Sequence, residues 1–106
     1  MEGCHILEVS NDAEDEAVSI ARARVETGEA TEWHRVKNTV ERYVIVSGKG
    51  RVEVEGLEPT EVRAGDVVRI PAGLFQRIAN TGMGDLLFYC VCSPRFRYEN
   101  YEKDLR

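Results

Sequence analysis

From Gly28 onward, glycine and proline cut this chain into pieces too brief for helices. The breaks fall at Gly48-Lys49-Gly50, Gly56, Gly65-Asp66, Pro71-Ala72-Gly73 and Asn80-Thr81-Gly82. The pieces between are rich in Val, Ile, Tyr and Phe, which suit a pleated, half-buried surface. Short strands separated by such turns predict an all-β sandwich or barrel. The expected strands cover 5–9, 18–26, 31–36, 41–47, 51–55, 60–63, 67–71, 76–80 and 86–92, with a tight hairpin at Ser47-Gly48-Lys49-Gly50.

Two segments carry competing signals. Asn11-Asp12-Ala13-Glu14 resembles a helix capping box, and Ala13, Ala17, Ile20, Ala21 and Arg24 fall at helical spacing. Residues 19–25 nevertheless alternate with a period of two. Beyond Pro94 runs a charged, aromatic-rich tail, which either packs back on the barrel or forms a short helix.

With 106 residues the chain reads as one domain, 1–106, because neither half would bury a core alone. A 42% hydrophobic share beside 31% charged residues is that of a globular protein. The net charge is -5 and the arginines are interleaved with glutamates, so nucleic acid is not an expected partner. No apolar run approaches the roughly 20 residues that cross a bilayer. Met1-Glu2-Gly3-Cys4-His5 also lacks the basic start of a secretion signal. A cytoplasmic protein without a membrane partner is expected. The cysteines agree: Cys90 and Cys92 are two apart, so on a strand their thiols point the same way and do not bridge. Reduced thiols that act as small apolar core residues are the expectation for both.

Two stretches hold most of the functional information. The first runs Gly28, five residues, His34, one residue, Val36, four residues, Glu41, six residues, Gly48. The second runs Gly65, five residues, Pro71, one residue, Gly73, two residues, Gln76, three residues, Asn80. Strand parity organises both. If His34 points inward so does Val36, while Arg35 and Lys37 point out. From Glu41 the inward set continues to Tyr43 and Ile45; from Gln76 it continues to Ile78, with Arg77 outside. A slip of one residue would bury the basic side chains instead.

These landmarks resemble the two motifs of the cupin superfamily. That family carries histidines at the positions of His34 and Val36, a glutamate at Glu41 and a histidine at Gln76. The resemblance spans Gly28 to Asn80, and Leu86 to Pro94 fits the closing strand. It implies a double-stranded jelly-roll β-barrel with a motif core of about 28–92 and a C-terminal tail of 93–106. It also implies a metal site at His34, Glu41 and Gln76, with Tyr43 as a nearby donor or acid. A mixed nitrogen and oxygen set of this kind suits Mn, Fe or Ni better than a tight structural Zn.

The function implied by the resemblance is a metal-dependent enzyme acting on an oxygen-rich metabolite: a sugar, keto acid or enol. Dioxygenase, isomerase, decarboxylase and lyase chemistry all remain open. The alternative, favoured by Val36 and Gln76 at two ligand positions, is a non-catalytic barrel that binds a small molecule without metal. In that case His34 and Glu41 form a buried hydrogen-bonded pair and Gln76 bonds to Glu41 or to water. Finally, Tyr43-Val44-Ile45-Val46 is apolar on both faces, so the outer side at Val44 and Val46 needs cover, and a homodimer is expected.

Overall fold

Strands account for nearly all the regular structure in the computed structural model, which describes residues 3–105. In chain order they are β1 (Cys4–Ser10), β2 (Ser19–Val25), β3 (His34–Val36), β4 (Val40–Ser47), β5 (Lys49–Val54), β6 (Thr60–Arg63), β7 (Val67–Ile70), β8 (Gln76–Asn80), β9 (Leu86–Ser93) and β10 (Tyr101–Lys103). A single 3-10 turn, Tyr98–Asn100, precedes β10. One sheet has the order β1-β2-β9-β4-β7 and the other β10-β3-β8-β5-β6. From β2 to β5, and again from β6 to β9, the chain steps from one sheet to the other at each strand. The result is the expected double-stranded jelly roll. No helix among the described residues is long and apolar enough to cross a membrane.

The inner faces of the two sheets make the core, with Ile45, Val52, Ile70, Ile78, Leu86 and Phe88 all buried. Parity works as the motifs require. Val36, Glu41, Tyr43, Ile45, Gln76 and Ile78 are buried, while Arg42 and Arg77 lie on the other face. The Arg77 guanidinium sits 4.9 Å from the Trp33 ring centre and pairs with Glu53 at 3.2 Å. The hairpin expected at Ser47-Gly48-Lys49-Gly50 is instead a crossing between sheets, since β4 pairs with β7 and β9 and β5 with β6 and β8. The chain turns there at Gly48, whose φ of +90° suits glycine. A Cβ there would lie 2.6 Å from the Asp85 carbonyl, so both backbone angle and space demand this residue.

Both competing segments resolve in favour of tertiary pairing. Residues 19–25 form a strand because each edge gains a ladder, with β1 on one side and β9 on the other. The helical spacing offers no such partner, and residues 11–18 form turns instead. The tail packs back as β10 against β3, pairing Tyr101 with Val36 and Lys103 with His34. Ion pairs from Arg95 and Arg97 to Glu16, at 3.2 and 2.6 Å, strap it to the turn region.

Candidate functional site

Cross-strand partners in an antiparallel ladder share a face, so the registers define what each sheet presents inward. In the first sheet one inward row is Glu8, Ala21, Cys90 and Tyr43. The next row is Ser19, Cys92 and Glu41. In the second sheet His34 stands between Lys103 on β10 and Gln76 on β8. A cavity of about 440 Å³ opens between these rows, lined by His34, Val36, Glu41 and Tyr43 and walled by Phe88 and the tail residues Phe96, Tyr98 and Tyr101. The imidazole, the carboxylate and the amide singled out in the sequence therefore come together, although from different sheets.

Gln76 is 1% exposed and stands behind the cavity wall. Its amide joins the two sheets: the Tyr43 hydroxyl donates to its oxygen, and its nitrogen donates to Glu41 Oε1 at 2.5 Å. Glu41 is 6% exposed. Its second oxygen meets only the Cys92 thiol, at 4.0 Å. Burial pushes the Glu41 carboxyl above the ordinary carboxylate range, against the opposing pull of His34 and the Gln76 hydrogen bond. Burial, with the Glu41 charge beside it, also raises the Tyr43 phenol well above its usual value, so Tyr43 keeps its proton at neutral pH.

His34 is held from two sides. Its Nδ1 lies 2.8 Å from the Glu32 carbonyl oxygen, an acceptor only, so Nδ1 carries the proton and Nε2 is left as an acceptor in the neutral ring. The Tyr101 ring stacks on it at 5.2 Å and 21°. The Tyr101 hydroxyl donates to Glu32 at 2.6 Å, which lowers the Glu32 pKa.

Several lining residues escaped the sequence reading. Cys90 and Cys92, expected as inert core, line the cavity beside Tyr43 and Glu41. Parity counted from buried Leu86 would have placed both on the inward face with Phe88. Their thiols are poor nucleophiles: burial and the Glu41 charge raise Cys90 strongly and push Cys92 up to about 12. Glu8 and the tail aromatics have no local signal; only the sheet order and the returning tail bring them here.

The donors fit a resident metal poorly. Val36, 3% exposed on the cavity wall, offers no ligand atom. The Gln76 amide lies behind the cavity wall with its oxygen turned to Tyr43, and its nitrogen, which faces Glu41, cannot ligate. Among the described residues no group of three His, Cys, Asp or Glu side chains comes together to hold a metal ion.

Fold and cavity together define a double-stranded β-helix barrel with a largely apolar pocket between its sheets that holds a few polar groups. The sequence pattern of the cupin domain family matches residues 21–92, and the chain belongs to that family. A protein of Methanocaldococcus jannaschii, the uncharacterized protein MJ1618, is 32% identical over 84 residues, which cover 79% of this chain and 66% of that one. Among solved structures, an uncharacterized conserved protein with a double-stranded beta-helix domain from Klebsiella pneumoniae superposes with a TM-score of 0.84. Identity is 14%, with 99% of this chain and 87% of that one covered. Oxalate decarboxylase from Lactobacillus farciminis, in a formate complex, gives a TM-score of 0.84 at 22% identity, with 97% of this chain covered. This chain spans only 32% of that enzyme's length. At these identities both structures speak to the fold.

Proposed function

We propose that this chain is a small-ligand-binding cupin domain whose cavity holds an organic molecule without a resident metal ion. The observation that supports this reading is the Tyr43–Gln76–Glu41 chain of hydrogen bonds. A metal ligand must turn a lone pair toward the ion, and the Gln76 oxygen points to Tyr43 from behind the cavity wall. The chain instead satisfies three buried polar groups with one another, as a metal-free interior requires. What it leaves facing the cavity is one oxygen of the Glu41 carboxylate, beside the His34 imidazole, the Glu8 and Glu32 side chains and a set of aromatic walls. A few polar groups in a largely apolar recess are the usual make-up of a small-molecule site. Three free thiols agree with the reducing, cytoplasmic setting we propose for the chain.

The second reading, a metal-dependent enzyme with His34, Glu41 and Gln76 as ligands, draws support from the closeness of His34 and Glu41. A bound Mn, Fe or Ni would supply Lewis acidity toward an oxygen substrate. Protein purified without added metal separates the two readings by elemental analysis. The ligand-binding reading expects far less than one ion per chain, unchanged in His34→Ala. Stoichiometric metal that His34→Ala removes would decide for the enzyme.

We also propose a homodimer. One outward row of the first sheet reads Leu7, Arg22, Tyr89, Val44 and Val67 across its five strands. Leu7 is 54%, Val46 50% and Val67 60% exposed, so large apolar side chains lie uncovered on this face among the arginines Arg22, Arg42 and Arg69. Sedimentation equilibrium is expected to give twice the chain mass, and Val44→Glu combined with Val67→Glu to give the single mass. Wild-type protein that stays monomeric at millimolar concentration would remove the proposal.

A further inference from the structure

We propose that the ligand is a small aliphatic ammonium compound, with its cationic nitrogen between Glu41 and His34 and its carbon chain along the aromatic walls. The inference rests on reading the cavity as a ligand site and adds the chemical class. It follows from counting what the walls can donate and accept. The carboxylates of Glu8, Glu32 and Glu41 line the cavity, and the one lysine there, Lys103, is taken by Glu32 at 3.6 Å. Among the described residues no arginine lines it. The strong interior donors are engaged, the Tyr43 hydroxyl on Gln76, the Tyr101 hydroxyl on Glu32 and His34 Nδ1 on the Glu32 carbonyl. That leaves the Ser19 hydroxyl, the thiols and, at the exposed rim, the Tyr98 hydroxyl. The acceptors are not spent. Among the described residues Glu41 Oε2 is buried with only the Cys92 thiol beside it, and His34 Nε2 has no hydrogen-bond partner.

An interior so short of donors repels oxalate, keto acids and other anions, which need N–H or cationic partners when desolvated. An ammonium group matches it, since it brings three N–H donors and a charge that a buried carboxylate lacks. The ring-rich lining adds to the match, because aromatic faces attract cations once water is excluded. Glu8 extends the argument along the cavity. It lies on β1, three strand spacings and so about 14 Å from β4, which carries Glu41. Among the described residues no hydrogen bond or ion pair engages its carboxylate. A chain with two or more ammonium groups would meet acids at both ends.

Isothermal titration of the purified full chain with butylamine, putrescine and spermidine tests this, beside glucose, pyruvate and oxalate. Binding is expected from the amines, tightening with the number of ammonium groups. Glu41→Gln should weaken every amine at least tenfold. Glu8→Gln, on the exposed edge strand and so harmless to folding, should remove the advantage of spermidine over butylamine. Glucose, pyruvate or oxalate binding where the amines do not would overturn the ammonium assignment and leave the ligand-binding reading standing. No heat from any of the six would remove both. Amine binding unchanged in a Glu41→Gln protein with a normal thermal transition would also overturn the assignment.

Discussion

Glu41→Gln should make this protein more stable, not less, at pH 8. The substitution keeps the shape of the side chain and the oxygen that accepts from Gln76, while removing a charge at a site 6% exposed. The sign follows from the raised folded-state pKa, caused first by burial. Between the unfolded carboxyl pKa and that raised value, the folded chain holds a proton that the unfolded chain releases. Stability therefore falls as pH rises through this window, and above it the whole cost of burying the carboxylate is present. The amide variant has no such dependence. The two proteins should melt alike in acid, with the variant gaining on the wild type as pH increases. Relief of a destabilised functional position is commonly worth about 0.5–2 kcal/mol. For a domain of about 100 residues each kcal/mol moves Tm by roughly 4–8 °C. Melting curves from pH 4 to pH 9 check this. A variant that melts lower than wild type at pH 8 would mean that the Glu41 charge is stabilised by a partner.

A carboxylate kept where it costs stability is best explained by a ligand. A barrel selected only for stability would hold an amide or a leucine at this position. On the proposed reading a bound cation would offset the cost, so the gain in stability from Glu41→Gln and the loss of amine binding would be two readings of one charge. The Tyr43–Gln76–Glu41 chain serves the same end. It takes up one carboxylate oxygen and turns the other toward the cavity.

The frame of this arrangement was legible in the chain because two local rules agreed at each strand. Glycine and proline marked the turns, and alternation put His34, Glu41 and Gln76 on the apolar face. Residues 19–25 were ambiguous because both periods fit Ile20, Ala21 and Arg24. The choice was made by β1 and β9, neighbours at a distance in sequence. The tail was undecided for the same reason, since the β3 edge that it covers is set by the fold. The site was legible only as a set of positions. That Gln76 would face Tyr43 and Glu41 rather than the cavity depends on side chains from opposite sheets. That Cys90 would border the cavity depends on the sheet order, which no local pattern encodes.

The largest change expected from any substitution here is a gain of metal. Val36 follows His34 by two residues on the same face and lines the cavity, and Gln76 is the ladder partner of His34. Val36→His combined with Gln76→His would thus bring three imidazoles and the Glu41 carboxylate to one end of the cavity, the set that the cupin pattern leads one to expect. An imidazole at position 76 that ligates through one nitrogen carries its proton on the other, and that N–H can donate to the Tyr43 hydroxyl oxygen. After loading with Mn or Ni and desalting, the double variant should retain about one ion per chain, as a four-donor site of this kind does. At 100 times its dissociation constant the metal should add about 2.7 kcal/mol to the stability of the variant and nothing to wild type. A Val36→Leu, Gln76→Leu protein controls for repacking of the two positions. Should the histidine variant fold, with a normal far-ultraviolet spectrum, and still retain no more metal than wild type, positions 36 and 76 do not converge with Glu41. Retention would place the difference between a metal centre and this cavity in two side chains, on a backbone that already has the geometry.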